Sequence, residues 1–421
     1  MKHQDQEPEF ITFGCRLNAY ESEVMRQNAK QVQLKNALVI NTCAVTAEAE
    51  RQARQTIRKM RKQRPNATII VTGCAAQIHP DRFAAMPEVD RVLGNQDKLK
   101  AQNFAPDLPD RVVVQDIMTV KETAHHLVCG FESRARAFIE IQNGCNHRCT
   151  FCTIPFGRGN NRSTPSGFIL DQIRNLVTQG FQEVVLTGVD ITDYGKDLPG
   201  SPTLGRLVQR ILDHIPELPR LRLSSIDPVE VDPLLMDCIG TQPRLMPHFH
   251  ISLQSGADLI LKRMKRRHLR QDVLDWCHQV RLLRPDVVFG ADLIAGFPTE
   301  TEAMFQETLD LVEQCDLAYL HVFPYSPREG TPAARMPQLP KATIKARAAS
   351  LRQLAHLQKE KQLTSFIGQQ VTVLVEREGT GYTQHFAPAR LLEDVGEPGQ
   401  LVTGRVESLC EGTLQVRRCD G

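Results

Sequence analysis

Residues Ala137–Cys152 read AFIEIQNGCNHRCTFC, a run of strand-forming residues that opens directly onto three cysteines spaced CxxxCxxC. The run is the first of six alike. Strand signals recur at Glu183–Leu186, Arg220–Leu223, His248–Leu253, Val287–Ile294 and Leu317–Phe323, each separated from the next by a helix-length segment. Six strand–helix units in a row predict a partial (βα)6 barrel. Upstream, strands at Glu9–Phe13, Ala37–Asn41, Thr68–Thr72 and Val89–Leu93 alternate with helical patterns, among them Ala47–Gln63, which stops before Pro65. That block predicts an open parallel-sheet α/β domain over 1–125. The barrel domain spans 130–363 and closes with a Pro-rich stretch, Pro324–Pro340, and a helix at Lys341–Leu363. From Thr364 to Gly421 the pattern turns to short alternating pieces punctuated by glycine, a small all-β module.

The chain has 421 residues, 41% hydrophobic and 24% charged, which fits two or three globular domains and excludes wholesale disorder. No stretch approaches the roughly 18 apolar residues of a membrane span, and the opening MKHQDQEPEF has no apolar secretory core. A cytoplasmic protein with no membrane partner is expected. Twelve cysteines are then the anomaly. A reducing compartment argues against a disulfide framework and for metal or catalytic use.

Cys145, Cys149 and Cys152 supply three soft thiolates from one short loop, which suits an iron–sulfur cluster or zinc. Three ligands on four irons leave one iron open to a substrate or cofactor. A closed zinc site wants a fourth ligand, which His147 inside the loop would supply. A second trio is dispersed: Cys15 in TFGCRLN, Cys43 in INTCAVT and Cys74 in VTGCAAQ. Each follows a predicted strand within two residues, and ligands of open parallel sheets bind outside those carboxyl ends. The plain alternative is three buried small hydrophobes. The other six cysteines, Cys129, Cys238, Cys277, Cys315, Cys410 and Cys419, show no ligand spacing; Cys238, Cys277 and Cys315 lie in helical patterns and read as core.

The CxxxCxxC loop with Phe151 before its last cysteine resembles the signature of radical S-adenosylmethionine enzymes. With the N-terminal trio, TGVDITDYG (Thr187–Gly195), SSIDP (Ser224–Pro228), HISLQSG (His250–Gly256) and DLIAGFPTE (Asp292–Glu300), the chain resembles the methylthiotransferase branch. Its opening FGCRLNAYESE most resembles the subfamily that modifies threonylcarbamoyladenosine in tRNA, and the terminal module resembles a TRAM domain.

The resemblance implies two 4Fe–4S clusters with S-adenosylmethionine as cofactor and methyl donor. Cys145, Cys149 and Cys152 would hold the cluster that cleaves S-adenosylmethionine to a 5′-deoxyadenosyl radical. Cys15, Cys43 and Cys74 would hold an auxiliary cluster carrying the inserted sulfur, and the six cysteines together form the expected catalytic centre. The implied reaction places a methylthio group at C2 of N6-threonylcarbamoyladenosine at position 37 of tRNA. The implied partners are a tRNA substrate and a low-potential donor such as a flavodoxin or ferredoxin, with the chain a monomer. In-class alternatives are the same chemistry on isopentenyladenosine or on a ribosomal-protein aspartate; outside the class stands a zinc-stabilised RNA-binding protein.

Cofactor contacts are expected at Phe151 and Ile154, against adenine, and at Gly188, Val189 and Asp190, the strand end that meets the methionine amino group. Ser225, Gln254 and Asp292 end or flank further barrel strands, where barrel active sites are built. Each has a bland counterpart: loop packing for the first pair, a strand-to-helix turn for the second group, a helix cap for Asp292. Three basic runs offer phosphate contacts: Arg51, Arg54, Arg58 and Arg61 on one helix face, LKRMKRRHLR (261–270), and the stripe Lys341, Lys345, Arg352 and Lys359. The module itself has five Arg against eight acidic residues, a net of −3. Tyr382 and Phe386 would stack on bases there or form its core.

Overall fold

The computed structural model describes residues 7–121, 135–393 and 395–419. The chain divides into two compact units. One holds the described residues of 1–128 with 140–164 and 326–331; the other holds those of 129–139, 165–325 and 332–421. The expected junction at 125–130, and Cys129 with it, lies outside the described residues. The two units cut across the three sequence segments: the cysteine loop goes with the first, and the terminal β module with the second.

In the first unit β1 (Glu9–Thr12), β2 (Ala37–Thr42), β3 (Thr68–Gly73), β4 (Arg91–Leu93) and β5 (Val112–Val113) form one parallel sheet in that order. A two-residue strand has no alternation to read, so β5 is invisible in the sequence. The intervening helices are α1 (Arg16–Gln31), α2 (Ala47–Gln63), α3 (Cys74–Ile78) and α4 (Pro80–Ala84). Local chemistry bounds α2: the Thr46 hydroxyl accepts from the Ala49 amide at 3.1 Å, Glu48 and Glu50 sit in the first turn, and Arg61 and Lys62 in the last. Leu38 and Ile40 of β2 pack with Ile57, Ala75 and Phe83, while Val39 packs with Met25, Ala29 and Phe104 on the opposite face. Both faces are covered, so β2 is buried along its whole length.

The chain continues through β6 (Arg136–Glu140) into an antiparallel pair, β7 (Gln142–Asn143) with β8 (Arg162–Ser163), that frames the cysteine loop and the short α5 (Ile154–Arg158). In the second unit β6, β9 (Glu183–Thr187) and β10 (Arg220–Leu223) share one sheet. A second sheet runs β11 (Ser225–Ile226), β12 (His248–Gln254), β13 (Val288–Ala295), β14 (Leu317–Pro324), all parallel. β10 and β11 are one strand position broken at Ser224, which gives the six positions of the partial barrel. Helices α6 (Ser166–Thr178), α7 (Leu204–His214), α8 (Pro233–Thr241), α9 (Asp258–Met264), α10 (Arg270–Leu283) and α11 (Glu302–Gln314) alternate with them. Phe249 and Phe289 meet Trp276 of α10, so those positions face the helix layer. The alternate positions, His248, His250, Asp292, Tyr319 and His321, share the inner face. Cys238, Cys277 and Cys315 are buried, as core readings require.

Helix α12 (Lys341–Ser365) leads into a closed barrel of β15 (Gln370–Arg377), β16 (Thr380–Thr383), β17 (Pro388–Leu391), β18 (Leu401–Cys410) and β19 (Thr413–Arg418). Between β16 and β17 the strand is broken where Phe386 takes a left-handed φ of 62°. The module's core, including Val371, Val373, Leu414 and Val416, is continuous with Val288 and Ala318 at the starts of β13 and β14.

Candidate functional site

Three strand ends of the first unit carry Cys15, Cys43 and Cys74. Cys15 caps α1, Cys74 opens α3, and Cys43 follows β2 just before α2, so each lies near a helix N-terminus. Two glycines let the loops close on one another. A side chain on Gly14 (φ 99°) would sit 3.0 Å from the Cys43 sulfur, and one on Gly73 (φ 99°) 2.3 Å from the Thr42 carbonyl oxygen. Burial pushes the Cys43 thiol up to about 12, and neighbouring Cys74 and Cys15 add to the rise. Three thiolates crowded this way need positive charge among them, which is what iron supplies. The donor set therefore fits a cluster.

The loop bearing Cys145, Cys149 and Cys152 belongs to the same unit. Its base is pinched: Cys145 donates its amide to the Gly159 carbonyl at 3.1 Å, and a side chain on Gly144 (φ 72°) would run into the Asn160 carbonyl oxygen at 1.9 Å. Gln142 Nε2 donates to the Gly144 carbonyl at 2.6 Å and Arg148 Nη1 to that of Cys145 at 2.6 Å. Within the loop the Cys152 amide reaches the Cys149 carbonyl at 3.1 Å, and the Ile154 amide points at the Cys152 sulfur at 3.4 Å. All three cysteines are half-buried, and Phe151 and Ile154 flank the third. A fixed loop with three partly accessible soft donors also fits a cluster.

Sequence reasoning missed a buried ionic knot in this unit. Arg158, at the end of α5, grips Glu21 of α1 with two bonds of 2.8 and 3.0 Å and donates to Asn18 Oδ1 at 2.6 Å. Lys98 Nζ reaches the same Glu21 at 2.7 Å and Asn95 Oδ1 at 2.7 Å. Asn95 in turn donates to the Cys74 sulfur at 3.6 Å and to the Gly157 carbonyl at 2.5 Å. Burial works against the charge on Arg158, but Cys74, Glu21 and Cys15 outweigh it and hold the guanidinium protonated. Lys98 and Arg158 meet on Glu21, and a second buried carboxylate, Glu140, interacts with Arg158 and is pushed up to about 7 by burial and by Glu21. The knot reaches the cysteine trio through Asn95 and Cys74, and no local pattern in the sequence announces it.

The remaining expected residues lie in the second unit, Gly188, Val189, Asp190 and Gln254 at carboxyl ends of barrel strands, Ser225 at the β10–β11 break and Asp292 within a strand. Gly188, Val189 and Asp190 follow β9; Asp190 is pushed upward, chiefly by burial, although it accepts from the Thr192 hydroxyl at 3.0 Å. Ser225 lies in β11. Gln254 ends β12 at φ 75°, a strained conformation for a side-chain-bearing residue and typical of functional positions. Asp292 sits mid-strand in β13, where its Oδ1 accepts from His250 Nε2 and His321 Nδ1, both at 3.0 Å. Neither histidine stood out in the sequence, because the trio assembles from three separate strands.

Two expectations about RNA contact are corrected. The α2 arginines are neutralised: Arg51 pairs with Glu48, Arg54 with Glu50, Arg58 with Glu88 and Arg61 with Asp90. In 261–270, Arg263, Arg266, Arg267 and Arg270 are held by Thr299, Asp227, Glu230 and backbone carbonyls; Lys262, Lys265 and Arg267 are exposed. The Lys341 and Lys345 side chains of α12 are also exposed. Tyr382 and Phe386 do not present faces for bases. Arg136 lies over both rings at 5.1 Å, Arg222 over Phe386 at 5.1 Å, and His248 stacks on Phe386 at 5.3 Å. Those arginines converge with Arg220 on Glu183, which they hold at about 2 against the opposing effect of burial. The module's aromatics thus close the amino-terminal end of the barrel.

Known proteins match this arrangement throughout its length. A model of the radical SAM superfamily matches residues 139–312, and one of the uncharacterized protein family UPF0004 matches residues 8–94. The chain is 54% identical to the threonylcarbamoyladenosine tRNA methylthiotransferase MtaB of Rickettsia prowazekii (strain Madrid E), covering 97% of this chain and 96% of that one. The chain belongs to the radical SAM tRNA methylthiotransferases. A Thermotoga maritima protein of the same name is 35% identical, with 96% of each chain covered. A tRNA-2-methylthio-N(6)-dimethylallyladenosine synthase of Cereibacter sphaeroides is 32% identical, with 97% of each covered. Among solved structures, the radical S-adenosylmethionine methyltransferase TsrM of Kitasatospora setae, with cobalamin and a [4Fe-4S] cluster bound, superposes with a TM-score of 0.55 at 14% identity, covering 78% of this chain and 77% of that one. That likeness supports the fold. Members of this family are sulfur-transferring enzymes that use 4Fe–4S clusters and S-adenosylmethionine. No helix among the described residues is long and apolar enough to cross a membrane.

Proposed function

We propose that this methylthiotransferase acts at C2 of N6-threonylcarbamoyladenosine at position 37 of tRNA. The observation that carries the reading is the 54% identity across 97% of the chain to an enzyme named for that nucleoside, against 32% to one named for dimethylallyladenosine. Cys145, Cys149 and Cys152 are assigned to the cluster that meets S-adenosylmethionine, and Cys15, Cys43 and Cys74 to an auxiliary cluster. When bound, these groups supply the electron for S-adenosylmethionine cleavage and the sulfur to be inserted. Phe151, Ile154, Gly188, Val189, Asp190, Ser225 and Gln254 orient S-adenosylmethionine, with the strained Gln254 backbone the strongest support among them. Arg158 and Lys98 hold positive charge beside the auxiliary trio. The reading keeps 1–125, 130–363 and 364–421 as the functional segments. It takes a low-potential flavodoxin or ferredoxin as reductant and a cytoplasmic monomer as the working form.

Mass spectrometry of tRNA nucleosides from cells with and without the chain tests the substrate. Loss of the methylthio form of threonylcarbamoyladenosine, with its precursor accumulating, is the expected result; an unchanged profile refutes it. In the purified enzyme Cys145→Ala should abolish 5′-deoxyadenosine formation. Cys43→Ala should allow cleavage but stop methylthiolation, and methylthio product from that variant would remove the auxiliary role.

A further inference from the structure

The inner face of the barrel carries two polar groupings at different heights. Near the amino-terminal end Arg136, Arg220 and Arg222 are engaged by Glu183 and covered by Phe386, so their positive charge is closed off from a ligand. Higher up, His250, Asp292 and His321 come from three adjacent strands. Register pairs Asp292 with His321 directly, and His250 with Gly290. Gly290 is what admits His250: a side chain there would sit 2.6 Å from the imidazole Nδ1 and 2.7 Å from the Tyr319 carbonyl oxygen. The two imidazoles lie 4.6 Å apart, centre to centre, and share the one Asp292 oxygen. Burial alone would push the Asp292 carboxyl up; the hydrogen bonds and charge of His250 and His321 reverse that and leave it well below the usual carboxylate range. Exposure is graded across the trio, from 7% for His250 through 23% for Asp292 to 61% for His321. His321 stands on β14, the edge strand of its sheet. Asp292 accepts from its Nδ1, so Nε2 points away from the trio, and in the imidazolium form Nε2 also carries a proton to donate.

A threonylcarbamoyl arm adds a carboxylate to adenosine. Recognising it calls for a donor at the accessible edge of the barrel interior, charge-assisted by a buried carboxylate behind it. We propose that His321, as the imidazolium and braced by Asp292 and His250, binds the carboxylate of the substrate's N6 arm and so sets the preference for threonylcarbamoyladenosine over adenosines lacking that group. The inference rests on the substrate reading above and deepens it. Asp292 acts here as a positioning residue, and His250 as the support that keeps Asp292 in place. The same three side chains also offer a two-histidine, one-carboxylate set to a divalent cation. The two readings differ in protonation: a carboxylate needs His321 as the imidazolium with both ring N–H groups donating, whereas a cation needs neutral rings, and the metal content of the protein separates them.

The test measures binding of reconstituted holoenzyme to anticodon stem–loop RNAs by fluorescence anisotropy. Three RNAs carry at position 37 threonylcarbamoyladenosine, plain adenosine, or threonylcarbamoyladenosine with its carboxylate capped as the methyl amide. Wild type should prefer the first over the other two by about tenfold or more, the size of one charge-assisted hydrogen bond. His321→Ala should reduce that preference to less than about threefold, and His321→Gln, which keeps a neutral donor, should fall between. A His321→Ala enzyme with the full wild-type preference overturns the inference alone. A wild type with no preference, together with an unchanged nucleoside profile in cells, overturns the substrate reading as well. Stoichiometric zinc or manganese in wild type, absent from both His321 variants, would make the trio a metal site and overturn the carboxylate contact.

Discussion

Replacing Glu21 by glutamine removes the one carboxylate that faces both Lys98 and Arg158. Three bonds of 2.7, 2.8 and 3.0 Å end on it, and all three side chains are at most 2% exposed. Glutamine keeps the shape and one acceptor but takes the paired carboxylate from both cations, leaving Glu140 as the remaining buried acid near Arg158. The magnitude can be read from the carboxyl itself. Burial pushes it up, Arg158 and Lys98 more than reverse this, and it titrates near 2 instead of 4.5. A shift of that size corresponds to about 3 kcal/mol, in line with the 3–5 kcal/mol expected when one partner of a buried pair is removed. Because the folded-state value is depressed, this stabilisation is present above pH 4.5 and is lost as pH falls toward 2. The glutamine variant should lack that acid-side dependence. Amide exchange along β2 and β3 reads the affected unit, and protection there should drop by about two orders of magnitude at neutral pH. The single tryptophan, Trp276, belongs to the other unit and serves as a control by fluorescence. Protection within about threefold of wild type would mean that Lys98 and Arg158 are neutralised from elsewhere, and the account of this knot would be wrong.

The barrel plug and the helix stripe yield two more expectations. Phe386→Ala removes the ring beneath which Arg136, Arg222 and His248 gather; it should cost about 3 kcal/mol, seen as a lowered melting transition in Trp276 fluorescence, and an unchanged transition would show the plug to be incidental. Changing Lys341, Lys345 and Lys359 together to Gln should weaken tRNA binding and flatten the slope of log affinity against log salt by about 2. An unaltered slope would move the phosphate contacts off α12.

Much of the architecture was legible because the signals are local. The helix Ala47–Gln63 carries its own cap, its own charge gradient and a proline stop, and the structure has it over those same residues. The inner barrel strands show as apolar runs of the right length at the right intervals. The terminal module was legible as β-rich but its strand count was not, since the break at Phe386 is a matter of one backbone angle. The basic face of α2 misled for a related reason. The spacing of Arg51, Arg54, Arg58 and Arg61 does place them together, but whether such a row is open to phosphate depends on acids that the fold brings near, Glu88 and Asp90 among them.

The sequence by itself determined the main alternation of strands and helices and the spacing of the single-loop cysteine trio, because each depends on residues within a few positions of one another. Tertiary structure alone decided which charges meet. Glu21 finds Lys98 77 positions away and Arg158 137 positions away; His250, Asp292 and His321 join across three strands; and Tyr382 and Phe386 turn inward onto barrel arginines instead of outward to RNA. Charge and ring contacts act over a few ångströms, and only the folded chain fixes which residues lie within that distance.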